Sequence, residues 1–177
     1  MIALAVDIGG TKMVAGLVDG DGKVLERRTT PTRQDIDAEG LFAELVGLLP
    51  EPSRAHVVGV GCGGPMSPEE VSPLNIPGWR RFPLRRRLAE VTGLPTFVDN
   101  DAKALALGEG WKGAAAGSDN FIAMVVSTGV GGGIVLDGRL LDGRLGNAGH
   151  IGHVVVEPRG RRCACGGRGC LEAEASG

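Results

Sequence analysis

No charge of one sign dominates this sequence. Nineteen basic residues stand against 21 acidic ones, a net charge of −2. There is no cationic excess of the kind that holds nucleic acid and no acidic solvating tail. Long apolar runs are also missing. FIAMVV, at 121–126, is among the longest, and a spanning helix needs about 20 apolar residues. MIALAVDIGG at the N-terminus lacks the basic segment and cleavage site of a signal peptide, so it reads as a first strand. A cytoplasmic protein, with no membrane and no nucleic acid among its partners, is the default expectation. Thiols stay reduced in that compartment, which counts against disulfides among the four cysteines.

Glycine is abundant instead, with 31 in 177 residues, roughly twice average usage. The glycines cluster as DIGGTK, GVGCGGP, STGVGGG and CGGRGC, each beside or between apolar segments. That is the pattern of tight turns at which backbone approaches a ligand, not of a linker. The apolar fraction of 42% is enough for a core, and the length suits one domain or two small ones.

Strands are predicted at 2–6, 13–18 and 23–29, a helix over 36–49 ended by Pro50, and a buried strand at 56–61. The proline-rich 65–82 reads as an irregular loop. FPLRRRLAEVTG follows as a short helix whose arginines form its solvated face. PTFVDN is a strand and DAKALALGEGWKG a helix. Residues 121–126 and 133–136 then form a hairpin, and DGR at 137–139 and 142–144 marks two turns. The order β-β-β-α-β-α-β-α, followed by a restart, describes an α/β chain of the ribonuclease H-like or actin-like ATPase fold. An N-terminal domain over 1–117 and an incomplete second domain over 118–177 are expected, with GAAAGSDN as the boundary.

In DIGGTK, Asp7 ends a strand, and Gly9 and Gly10 let the chain reverse. Thr11 and Lys12 then present a hydroxyl, an N–H and a cation to one space. Such a turn can hold phosphate oxygens, and Asp7 can hold Mg2+ through water; the plain alternative is an ordinary hairpin turn. STGVGGG repeats the device between a second pair of strands, and actin-like kinases grip ATP between two such hairpins. FVDNDA places Asp99, Asn100 and Asp101 at a strand-to-helix junction. One of them suffices as a cap. A carboxylate there can take the proton of a sugar hydroxyl as that hydroxyl attacks phosphorus.

His153, Cys163, Cys165 and Cys170 are spaced H-x9-C-x-C-x4-C. One imidazole and three thiolates are the donor set of a closed structural zinc site. Glycines 166, 167 and 169 allow the loop to fold around an ion. The spacing favours zinc over a disulfide or free thiols, and the C-x-x-C of a redox pair is absent. Cys62 lies apart and reads as a small buried residue.

DIGGTK, GVGCGGP, NIPGW, VDNDA, STGVGGG, AG-x-IGH and CxCGxxGCxE occur in this order from residue 7 to residue 174. Together they resemble the ROK family of bacterial sugar kinases, sugar-responsive repressors and related proteins. The resemblance implies an ATP-dependent kinase of glucokinase type that phosphorylates the 6-hydroxyl of a hexose. Asp7, Gly9, Gly10, Thr11 and Lys12 match the first phosphate motif, and Thr128, Gly129, Gly131 and Gly132 the second. Asp101 matches the catalytic base. Asn100 and Glu172 match sugar-binding positions, and Gly64 falls near the sugar. His153 matches a residue that ligates zinc and faces the sugar; Cys163, Cys165 and Cys170 match the other ligands. ATP, Mg2+ and a structural Zn2+ are the implied cofactors, and a homodimer or homotetramer the implied assembly.

Three departures qualify the match. Met66 stands where many members have glycine. His150 stands where the family commonly has a glutamate that bonds a sugar hydroxyl. A carboxylate accepts two or more hydrogen bonds, whereas a neutral imidazole accepts one and donates one, so sugar preference is expected to shift, with N-acetylmannosamine or fructose as alternatives to glucose. Relatives also continue for roughly another half-domain, which carries the adenine pocket, so a fragment or inactive remnant is a further reading. A non-catalytic sugar-binding regulator is the remaining alternative. Repressors of the family carry a helix-turn-helix ahead of the first glycine turn, and here that turn begins at residue 7.

Overall fold

A computed structural model describes every residue, Met1–Gly177. The chain divides into two compact units, Met1–Asp101 and Ala102–Gly177. The division falls at the start of a helix, ahead of the GAAAGSDN segment suggested by composition.

The first unit is a five-stranded mixed sheet with two helices. Strands β1 (Ile2–Ile8), β2 (Lys12–Asp19) and β3 (Val24–Pro31) form an antiparallel meander. Helix α1 (Ala38–Leu48), strand β4 (Val57–Cys62), helix α2 (Leu84–Thr92) and strand β5 (Thr96–Asn100) follow. Both β4 and β5 run parallel to β1, and the sheet order is β3-β2-β1-β4-β5. This is the ribonuclease H-like, actin-like plan expected from the element order.

Strand period explains the core. Leu4, Val6 and Ile8 of β1 share one face. They lie opposite Leu17, Ala15 and Met13 of β2 and beside Val58, Val60 and Cys62 of β4. All nine are buried. Leu41, Phe42, Leu45 and Leu48 of α1 and Leu84 and Leu88 of α2 join them in one apolar cluster. Asp37 caps α1, its carboxylate accepting from Gly40 N–H at 2.7 Å. Cys62 is buried, as expected; burial, then the charges of Asp101 and Asp7, push its thiol pKa up.

The proline-rich 65–82 segment is irregular but well tied. Trp79 is fully buried, stacks on Phe82 at 4.6 Å between centroids and donates its indole N–H to Ala38 O at 3.2 Å. Arg80 donates to three carbonyls, Pro73, Ile76 and Trp79, at 2.8, 3.0 and 3.0 Å. The arginines of α2 are not all a solvated face. Arg85 and Arg86 pair with exposed glutamates, but Arg87 lies 4.4 Å above the Phe42 ring and forks onto Glu39.

In the second unit, helix α3 (Asp101–Lys112) leads to strands β6 (Phe121–Val126), β7 (Val130–Leu136) and β8 (Arg139–Leu140), paired in that order. A short helix, α4 (Leu171–Ala175), ends the described chain. Asp137 and Gly138, both at positive φ (50° and 71°), make the tight β7–β8 turn that the first DGR predicts. Strand β7 starts earlier than the sequence suggests. Gly131, Gly132 and Gly133 lie inside it rather than in a turn, because they are close-approach points: a Cβ on Gly133 would stand 2.4 Å from Ala106 Cβ. No helix is long and apolar enough to cross a membrane.

Candidate functional site

The candidate residues form two groups, one in each unit. In the first unit, register places Asp7 of β1 beside Gly61 of β4, and Gly61 beside Asp99 of β5. The row beyond it is Ile8, Cys62 and Asn100, and Asp101 follows at once. These are the carboxyl ends of three parallel strands, where open α/β sheets bind ligands. The face is opposite the core, by the same alternation that buries Val6 and Ile8.

The DIGGTK turn joins β1 to β2. Gly9 N–H donates to Lys12 O at 3.0 Å. Its carbonyls are taken from outside the turn. Thr32 Oγ1 donates to Gly9 O at 2.7 Å, and Gln34 Nε2 donates to Gly10 O at 2.9 Å and to Asn75 O at 3.0 Å. Gly10 has no room for a side chain, since an added Cβ would lie 2.5 Å from Asn75 Cβ. The NIPGW loop and the glycine turn are therefore seated on each other. Thr11 and Lys12 are exposed. Asp7 titrates above the ordinary carboxylate value of 3.8, chiefly from partial burial and then from the charge of Asp101, with Lys12 pulling the other way. Asp99 accepts from Asn100 N–H at 2.7 Å. Gly64, in the loop after β4, accepts from Leu74 N–H at 3.2 Å, and Met66 bridges to Val71.

In the second unit, the STGVGGG segment splits into a turn, Ser127–Gly129, and the start of β7. Val130 N–H donates to Glu172 Oε2 at 2.8 Å. Thr128 is exposed, whereas Gly132 is buried beneath Ile151, whose Cδ1 would lie 2.4 Å from an added Cβ. Gly131 is confined by Ala102, whose Cβ would lie 2.9 Å from an added Cβ.

His150 Nδ1 lies 2.7 Å from Asn147 O. A carbonyl only accepts, so Nδ1 carries the proton and Nε2 of the neutral ring is the acceptor. The preceding loop is held by Lys103, which is almost fully buried on α3. Its ammonium contacts Asp142 Oδ1 at 2.6 Å and Gly146 O at 3.3 Å. A buried lysine needs such partners. The side chains of His150 and His153 stack with centroids 6.3 Å apart.

His153, Cys163, Cys165 and Cys170 converge, their ligand atoms all within 4.8 Å of one another. Cys165 Sγ and Cys170 Sγ are 3.8 Å apart, and Cys163 Sγ is 3.7 Å from His153 Nδ1. Zinc–sulfur bonds of about 2.3 Å at tetrahedral angles give an edge of about 3.8 Å, while a disulfide needs about 2.05 Å. All cysteines are free. The donor set and its spacing thus fit zinc. Gly167 N–H beside the Cys165 sulfur lowers that thiol's pKa, and burial pushes Cys170 up to about 12. A side chain at 167 would crowd both sulfurs, at 3.3 and 3.4 Å. At Gly169, φ is +68° and a Cβ would fall 1.6 Å from Glu157 O, so no other residue fits.

Three features escaped the sequence reading: the Thr32 and Gln34 supports of the first turn, the Lys103–Asp142 pair, and the Glu172–Val130 contact. Each joins residues 23 or more positions apart, and none leaves a periodic or motif signal.

The ROK family model matches residues 3–177. The glucokinase of Thermotoga maritima is 44% identical over 180 residues, covering 98% of this chain and 56% of the relative. The N-acetylmannosamine kinase of Citrobacter koseri is 43% identical over 182 residues, covering 100% of this chain and 62% of the relative. The solved structure of a ROK family glucokinase from Streptomyces griseus, in complex with glucose and AMPPNP, superposes with a TM-score of 0.89 at 38% identity over 99% of this chain and 57% of that one. A ROK family transcriptional regulator, a homologue of the E. coli MLC protein, superposes at 0.81 with 32% identity, covering 99% of this chain and 46% of that one. The chain therefore spans between 46% and 62% of the length of these relatives.

Proposed function

This chain belongs to the ROK family, and on that premise we propose that it carries the sugar side and the phosphate turns of an ATP-dependent kinase acting on the 6-hydroxyl of a glucose-like hexose. The observation that supports the reading most is the row Asp7–Gly61–Asp99, followed by Asn100 and Asp101, at the strand ends beside the DIGGTK turn. Segments 1–117 and 118–177 are assigned as an N-terminal actin-like domain and the start of a second.

In this mechanism Asp101 accepts the hydroxyl proton as O6 attacks the γ-phosphorus of ATP, and the bond to the leaving ADP oxygen breaks. Asn100, Glu172, His150 and His153 fix the sugar hydroxyls, with Gly64 close by. The backbone of Gly9–Thr11 and of Thr128–Gly129, together with Lys12, meets the phosphates. Gly131 and Gly132 act indirectly, by letting helix and loop approach β7. Asp7 would hold Mg2+ through water, and the ion would neutralise phosphate charge. His153, Cys163, Cys165 and Cys170 would hold zinc in a closed set that shapes the loop and leaves no open position for chemistry. Assembly as a homodimer or homotetramer belongs to the same reading.

Sugar titration tests this first, since every residue proposed to hold the sugar lies within these 177 residues. Glucose, N-acetylmannosamine and fructose are the panel; His150, with one acceptor nitrogen in place of a carboxylate, is the side chain expected to set the order among them. With ATP present, Asp101→Asn is expected to lower turnover by about 10²–10⁴-fold while sugar affinity stays within a few-fold. Binding of none of these sugars, or an Asp101→Asn chain that turns over like the parent, overturns the proposal. A sugar-binding regulator is the second reading, favoured by the likeness to the regulator. It predicts sugar binding with no ADP formed.

A further inference from the structure

Glu172 lies two residues after Cys170, in the first turn of α4. One of its oxygens, Oε2, accepts from Val130 N–H at 2.8 Å. The same oxygen would be 2.6 Å from a Cβ on Gly129. The carboxylate therefore occupies the space that a side chain at 129 would fill, and it caps the first peptide after the Ser127–Gly129 turn. A second tie lies nearby: Gly177 N–H donates to Ser127 O at 2.8 Å.

Val130 is also held at its carbonyl, in the next peptide. A Cβ on Gly152 would meet Val130 O at 2.0 Å, so backbone lies directly on backbone there. Gly132 N–H donates to Gly149 O at 3.2 Å in the same contact. Each clamp abuts a member of the thiol–imidazole cluster. Gly152 precedes His153, and Glu172 follows Cys170, whose neighbour Leu171 donates to Val154 O at 2.9 Å. The cluster thus reaches the glycine turn by two short paths, each a covalent step along the chain to Gly152 or Glu172 followed by a non-covalent contact with Val130.

We propose that Glu172 is a positioning residue that fixes the backbone of the second glycine turn, and that it transmits the order of the thiol–imidazole loop to that turn. The carboxylate has a second oxygen, so this role is compatible with a sugar contact by the same side chain. The part of the proposal that concerns phosphate binding rests on the kinase reading above; the part that concerns the turn does not.

Amide hydrogen exchange of the full chain tests the turn directly. Losing a hydrogen bond to a charged partner is expected to speed exchange at Val130 roughly ten- to hundredfold in Glu172→Ala. Amides of β1 and β4, in the other unit, keep their parent rates. Glu172→Gln retains an acceptor oxygen and restores most of the protection, whereas Glu172→Asp, shorter by one methylene, does not. Removing bound metal with a chelator is expected to speed exchange over 127–131 in the parent chain as well. Parent-like exchange at Val130 in both Glu172→Ala and Glu172→Asp overturns the positioning role. Unchanged exchange after chelation overturns the link to the loop. Should Glu172→Ala unfold, the contrast between Gln and Asp decides the matter.

Calorimetry with inorganic tripolyphosphate separates this proposal from the kinase reading. Weaker binding in Glu172→Ala, rescued by Gln, extends the positioning role to phosphate. Loss of binding equally in Ala and Gln overturns that extension. A parent chain that binds no tripolyphosphate counts against the kinase reading and leaves the exchange result standing.

Discussion

Two glycine-to-alanine substitutions, chemically identical, should move stability in opposite directions. At Gly133 the new methyl would stand 2.4 Å from Ala106 Cβ, 2.8 Å from Ala102 O and 3.0 Å from Lys103 Cα. Carbon atoms rest at about 3.5–4.0 Å, so helix α3 and β7 must separate by roughly 1 Å or more. Two of the three obstacles are backbone and cannot rotate away. Overpacking of this kind costs about 1–3 kcal/mol. At Gly108, inside α3, an added Cβ meets nothing within 4 Å. There the helix gains the alanine advantage of about 0.5–1 kcal/mol. Urea unfolding at neutral pH reads both changes. The function-linked consequence follows from the position of Asp101 at the head of the displaced helix. A misplacement of about 1 Å can cost on the order of 100-fold in rate, so Gly133→Ala should lower turnover or, in its absence, sugar affinity, while Gly108→Ala should not. If the two variants shift the urea midpoint in the same direction, the close approach of α3 to β7 is not what keeps glycine at 133.

Asp7→Asn should stabilise the chain at neutral pH, measured by thermal unfolding without nucleotide or metal. Partial burial and Asp101 raise the folded pKa of Asp7 above 3.8, so the native state binds the proton more tightly than the unfolded one. The parent's relative stability is then full below 3.8 and is lost as pH rises through the folded value. The gain of the Asn variant should therefore vanish at low pH, and a gain that is flat with pH refutes the assignment. Protein purified without chelator should contain one zinc per chain, and Cys165→Ser should lose it. No metal, or a Cys165–Cys170 disulfide under reducing conditions, refutes the site.

Much of the fold was legible because it rests on local pattern. The alternation of β1 and β4 and the helical spacing of Leu41, Phe42, Leu45 and Leu48 specify their elements and the faces they bury. DG at 137–138 announces a turn through chemistry that acts over three or four residues, whereas the Asp37 cap was missed, since the helix was expected to start at 36. The thiol–imidazole cluster was legible for a related reason: three of its four members lie within eight positions, and few other arrangements use that donor set. What stayed hidden depends on long-range placement. Gln34 bridging Gly10 and Asn75, and Lys103 meeting Asp142, involve common polar residues whose roles exist only once distant loops are adjacent.

Glycine shows the limit most clearly, because two different physical demands write the same letter. STGVGGG resembles a single phosphate-binding turn, yet only Ser127–Gly129 turns. Gly131, Gly132 and Gly133 serve contact with Ala102, Ile151 and Ala106. None of these three has positive φ, so backbone freedom is not the reason for glycine at any of them; the missing side chain is. At Gly149 and Gly169 both demands apply at once, with φ of +94° and +68° and backbone oxygens 2.2 and 1.6 Å from an added Cβ. A glycine-rich motif is therefore evidence of close approach first and of ligand binding second. What lifts this one above a packing device is that its turn is seated on a side chain, Glu172, delivered from beside the thiol cluster.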